Sequence, residues 1–144
     1  MSDILPKGKE VDFEVVSEPW SRYKLEDGTE LRVRAAVLKI HQSLEIGDLG
    51  YPNFGVATHN VLSTMVPEEL KRDQSKEPAK LPEDLDKELS FDVIEERWQE
   101  YRTKTGYTIR VRPTVTKVSR AKKYNQFREP LYFANIQVVV SIAK

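Results

Sequence analysis

Two glutamates 78 residues apart, Glu18 and Glu96, open the same short phrase, Glu-x-Trp-x-x-Tyr. Paired carboxylates do acid–base chemistry when their surroundings pull their pKa values apart. Each phrase runs on into an Arg-Val-Arg triplet, Arg32–Arg34 in the first case and Arg110–Arg112 in the second. On a strand, that spacing sends both guanidiniums to one face, where they can fork onto a phosphate or a carboxylate. The plainer use of the same arginines is ion pairing across strands with Glu14, Glu18, Asp92 or Glu96.

A third group lies further along, in SRAKKYNQFREPLYF. Arg120, Lys122, Lys123 and Arg128 alternate there with Tyr124, Phe127 and Tyr132. Cations interleaved with aromatics suit single-stranded nucleic acid, with charge following the backbone and rings stacking on bases. The candidate anion or nucleic-acid surface is therefore Arg110, Arg112, Arg120, Lys122, Lys123, Tyr124, Phe127 and Arg128. The two histidines, His41 and His59, have no tight ligand spacing around them. The chain also contains no Gly-rich phosphate loop, nucleophile elbow or zincin helix. Neither a metal nor a cofactor is expected.

These groups recur because the sequence around them recurs. Phe13, Val15, Glu18, Trp20, Tyr23, Gly28, Arg32, Val33, Arg34, Val37 and Lys39 reappear 78 residues on. Their counterparts are Phe91, Val93, Glu96, Trp98, Tyr101, Gly106, Arg110, Val111, Arg112, Val115 and Lys117. The offset also carries Pro52 onto Pro130, Val61 onto Val139 and Ser63 onto Ser141. We read an internal duplication: a first β repeat over 1–66, an exposed linker over 67–86 and a second β repeat over 87–144. The linker has three prolines (Pro67, Pro78 and Pro82), no aromatics and mixed charge. It cannot bury enough apolar surface to order itself. A helical turn fits over Pro67–Arg72, since Pro is tolerated at a helix start.

Taken alone, FDVIEERWQEYR has helical spacing at Ile94, Trp98 and Tyr101. Its counterpart FEVVSEPWSRYK places Pro19 before Trp20, and an interior Pro costs a helix about 3 kcal/mol. Two copies of one fold share one backbone, so both segments are read as strands, with the Pro at an edge or bulge. Asp27-Gly28 signals a hairpin. Leu31 and Val33 then alternate with Arg32 and Arg34 as in a half-buried strand. The phase flips afterwards, which puts a bulge near Ala35/Pro113. After a loop, GVATHNVLSTMV and FANIQVVVSIAK supply the last strand of each copy. The expected fold is all-β. Two three-stranded meanders pack with pseudo-two-fold symmetry into a six-stranded barrel or sandwich, one composite domain with Trp20, Trp98, Tyr23 and Tyr101 in its core.

The bulk numbers narrow the function. The 144 residues carry 23 basic and 23 acidic side chains, but unevenly. Residues 1–66 sum to −3, residues 67–86 to −3 and residues 87–144 to +6. With no cysteine, disulfides, thiolate catalysis and Cys-bound metals are excluded. No apolar run approaches the ~20 residues of a membrane helix, and MSDILPKGKE lacks a signal-peptide core. A cytoplasmic location without a membrane partner is expected. The function read from these features is a non-catalytic binding or assembly module of unassigned ligand, with self-association among its possible partnerships. The alternative is nucleic-acid binding through the second repeat, and an enzyme using Glu18 and Glu96 comes last.

Overall fold

The computed structural model describes residues 8–144, so the N-terminal reading over residues 1–7 lies outside the described residues. The first half supplies β1 (Gly8–Val11), β2 (Phe13–Ser17), β3 (Ser21–Leu25), β4 (Glu30–Ile46) and β5 (Pro52–Met65). The second half supplies β6 (Leu85–Leu89), β7 (Phe91–Glu95), β8 (Gln99–Thr103), β9 (Thr108–Tyr124) and β10 (Pro130–Ala143). The protein is all-β. Its strands form two antiparallel five-stranded sheets, stacked as a sandwich and not closed into a barrel.

Each sheet borrows one strand from the other half. In the first sheet β7 pairs with β3, which pairs with β4, and β4 carries β1 and β5. In the second sheet β2 pairs with β8, which pairs with β9, and β9 carries β6 and β10. The ladders correspond at the 78-residue offset. Phe13 faces Thr103, and Phe91 faces Leu25. Ser21 faces Val33, and Gln99 faces Val111. The chain leaves the first sheet at Asp12, between β1 and β2, and returns through Glu18–Trp20. Its second half makes the mirrored journey at Ser90 and Glu96–Trp98.

The exchange builds two cores, each drawn from both halves. One combines Tyr23, Leu25, Leu31 and Val33 with Leu89, Val115 and Val118. The other combines Val11, Ala35 and Ile40 with Tyr101, Ile109 and Val111. The borrowed strands seal them with edge-to-face rings. Phe13 meets Tyr101 at 5.9 Å between centroids, and Phe91 meets Tyr23 at 5.7 Å.

Several expectations need correction. Each half has five strands rather than three: an additional strand, β1 or β6, precedes the first segment, and that segment breaks at Pro19 and its equivalent Arg97, where the chain changes sheet. The phase flip comes three residues later than expected: Leu38 and Thr116 are the residues skipped in the ladders to β5 and β10. The supposed loop before the last strand is mostly strand, since β4 and β9 run on to Ile46 and Tyr124. Arg120, Lys122, Lys123 and Tyr124 therefore lie in β9, and only Phe127 and Arg128 lie in the following turn. Between the halves the chain has a single 3-10 turn, Glu68–Leu70, and is otherwise irregular up to Leu85. It is tied to the second half at intervals. The Arg72 amide donates to Arg128 O at 3.0 Å, Ser75 exchanges hydrogen bonds with Tyr124, and Lys122 N donates to Asp84 O at 2.7 Å.

The two short hairpins turn on Gly28 and Gly106, at φ 93° and 94°. In this region a Cβ meets its own backbone. A Cβ on Gly106 would meet no neighbouring atom, so its cost is conformational only. Gly106→Ala is expected to lower stability by about 1–2 kcal/mol with the native circular dichroism spectrum retained, as measured by urea titration.

Candidate functional site

The crossover segments carry most of the chemistry singled out in the sequence. Along β4, Val33 is the last residue paired with β3 in this stretch, and Ile40 is where pairing with β1 begins. The residues between lose a neighbour on that edge, and Glu18–Trp20 and its counterpart cross the sheets there. The Arg34 guanidinium lies 4.4 Å from the Trp20 ring centroid, and Arg112 lies 4.9 Å from Trp98. The Nε of each is buried and makes no hydrogen bond among the described residues. The tyrosines are fully buried, as expected. The tryptophans are not core: Trp98 is 38% exposed and acts as the outer plate of a cation–π stack.

The two glutamates accept hydrogen bonds from different tyrosines. Tyr101 donates to Glu18 Oε1 at 2.8 Å, and Tyr23 donates to Glu96 Oε2 at 2.7 Å. Neither carboxylate has an ion-pair partner among the described residues, so the expected salt bridges to Glu18 and Glu96 do not form. Burial pushes both tyrosine hydroxyls well above their ordinary value, and the adjacent carboxylates push the same way. These phenols therefore remain proton donors to the glutamates.

A difference between the halves explains two residues that sequence reasoning passed over. Gln99 is fully buried on β8. Its Oε1 accepts the Ala35 amide at 2.8 Å, and its Nε2 donates to Ala35 O at 2.5 Å and to Tyr101 Oη at 2.6 Å. The equivalent of Ala35 is Pro113, which has no N–H to satisfy. The equivalent of Gln99 is Ser21, which instead accepts the Arg97 amide at 2.9 Å. Pro113 is thus admissible inside a strand because the matching N–H serves a side chain rather than the ladder.

The structure scatters the candidate basic surface. Arg110 pairs with Glu100 at 3.3 Å, and Arg112 stacks on Trp98. Arg120 lies ten residues on, roughly 33 Å along an extended strand. It is fixed between Asp27 at 3.2 Å and Asp86 at 2.7 Å. Tyr132 donates to the same Asp27 oxygen at 2.7 Å and shares a hydrogen bond with Thr29. Burial acts to raise the Asp27 carboxyl, but the Thr29 amide, the Tyr132 and Thr29 hydroxyls and Arg120 outweigh it and hold it below the usual range. Lys122, Lys123, Tyr124, Phe127 and Arg128 stay together at the tip of the β9–β10 hairpin. Phe127 is 65% exposed, and Arg128 comes within 3.9 Å of Asp73.

No family model, curated protein or solved structure matches this chain. Among the described residues no three His, Cys, Asp or Glu side chains gather as a metal site, and no helix is long and apolar enough to cross a membrane. Two open clefts, of about 500 and 570 Å³, occupy equivalent places. One lies between residues 47–53 and Val140–Ile142, and the other between residues 125–129 and Leu62–Thr64. Neither is lined by Glu18 or Glu96, the carboxylates considered for catalysis.

Gln99→Ser should cost about 1–3 kcal/mol by leaving the Ala35 amide unpaired. Adding Ala35→Pro removes that donor and should restore part of the loss, a coupling readable in a urea-titrated double-mutant cycle. Tyr132 is also pushed up by burial. Tyr23, Tyr101 and Tyr132 keep their protons in the fold, so their stabilisation is complete below the phenol's unfolded value near 10 and is lost as pH rises past it. Tyrosine-labelled NMR should show these three ionising only as the fold opens.

Proposed function

We propose that this chain is a non-catalytic binding or assembly module, made of two alike units joined by a duplication and working in the cytoplasm. One observation carries the reading: the side chains equipped for chemistry are already engaged within the fold. Glu18 and Glu96 answer to separate tyrosines, Arg34 and Arg112 lie on tryptophans, and Arg120 is shared by two aspartates. A catalytic pair would need groups that converge on one cleft. Sedimentation velocity on the full chain tests the reading, over about 1 µM to 1 mM, where moderate affinities are resolved. Concentration-dependent association supports assembly. A monomer throughout leaves binding of a different molecule.

A second reading is supported by the tip of the β9–β10 hairpin. Lys122 and Lys123 have no ion-pair partner among the described residues, and Phe127 stands out from the surface. Single-stranded nucleic acid would meet cations and a stacking ring there. In fluorescence anisotropy at low salt, replacing Lys122, Lys123 and Arg128 by Ala should flatten the log–log salt slope by about 2, at roughly 0.7 per phosphate contact. No binding by the parent protein to DNA or RNA single strands would exclude this reading.

A further inference from the structure

We propose that β10 pairs edge to edge, antiparallel, with β10 of a second copy of this chain, forming a two-fold dimer. This rests on the assembly reading and specifies its interface.

The two longest edges of the fold are β5 and β10, each 14 residues long. Each is hydrogen-bonded on one side only, to β4 and to β9. Their outer sides present backbone N–H and C=O groups with no strand partner among the described residues. Neither strand contains a single Asp, Glu, Lys or Arg, in a protein that is 32% charged. Every other strand carries at least one charge. The short strands with one ladder each show the usual protection: Lys9 and Glu10 on β1, Glu14 on β2, Asp86 to Glu88 on β6, and Asp92 and Glu95 on β7. Charges and short length keep an edge from recruiting another strand. β5 and β10 lack both.

Composition separates the two. From Ile136 to Ile142, β10 has five β-branched residues and no Gly or Pro. This is the composition that pairs most readily. The matching stretch of β5 contains His59 and Asn60, and Gly55 precedes it. Val139 and Val140 are each 40% exposed.

The occupant follows from the same lack of charge. A two-fold antiparallel pairing sets the strand against its own reversed copy, so a strand carrying charge of one sign would oppose itself. An uncharged strand has no such penalty. It also offers a foreign strand no charge pattern to select it by.

The chain has no cysteine, so single probes are clean. Overlap along the whole of β10 puts Gln137 beside the two-fold axis. Its equivalent on β5 is His59, and both are exposed. Nitroxides on Gln137→Cys and, separately, on His59→Cys are read by dipolar spectroscopy of the full chain, alongside sedimentation. The expected result is a dimer with a 137–137 distance under about 20 Å, since paired strands lie about 4.8 Å apart and the probe arms add the rest. The 59–59 distance should be far longer. Val140→Lys should weaken the dimer at least about tenfold, while Leu62→Lys, at the matching position of β5, should leave it unchanged. If Val140→Lys fails to fold by circular dichroism, the label distances decide. A dimer with a long 137–137 distance, or a short 59–59 distance, overturns this interface and leaves assembly standing. A monomer at every concentration overturns both.

Discussion

The reciprocal loan of one strand between the sheets underlies everything else in this molecule. β2 leaves its own half to pair with β8, and β7 leaves its own to pair with β3. Without Phe91 from the other half, Tyr23 would lose its ring partner, and Tyr101 depends on Phe13 in the same way. A unit of about 60 residues buries only about 60% of the surface its unfolded chain exposes and is marginal by itself. The exchange gives both halves cores that neither closes alone. It also fixes the path of the intervening chain, which must travel from the end of β5 to the start of β6 and is hydrogen-bonded to the second half on the way.

A strand that changes sheets must break its ladder, and the break creates the polar clusters. Glu18–Trp20 and Glu96–Trp98 make no ladder bonds, so their side chains satisfy groups that the ladders leave open. The glutamates accept from buried phenols, and the tryptophans cover the arginines. The repeated Glu-x-Trp-x-x-Tyr phrase in the sequence follows this topology. The same residue types recur because the same crossing is made twice.

Much of this was legible in the residues. Gly28 and Gly106 mark turns that need positive φ, and Leu31 and Val33 alternate with arginine as a half-buried strand requires. The misreadings have specific causes. Pro19 excludes a helix, but a bulge and a change of sheet look alike in one strand's sequence, because both interrupt pairing. Their size alone assigns the tryptophans to the core, where large rings usually go. Only the three-dimensional position of Arg34 and Arg112 makes them surface plates. Arg120 looked free because Asp27, 93 residues away, and Asp86 give no local sign of approaching it.

The two halves agree in scaffold and differ in what they present. At the hairpin tips, Leu44, Ile46 and Leu49 in the first half stand where Lys122, Tyr124 and Phe127 stand in the second. The three first-half residues are all strongly exposed. Inside, a change on one side is matched by its neighbour: Gln99 accompanies Ala35, and Ser21 accompanies Pro113. This interior difference comes as a compensated pair because an unpaired buried N–H is costly. At the tips the differing side chains include exposed ones such as Leu49 and Phe127, which leave no buried N–H to pair. The charge imbalance, −3 over residues 1–66 against +6 over residues 87–144, is free to accumulate on such surfaces. The pseudo-symmetry constrains the backbone and the cores and leaves the two ends chemically distinct, so one partner need not see both ends alike.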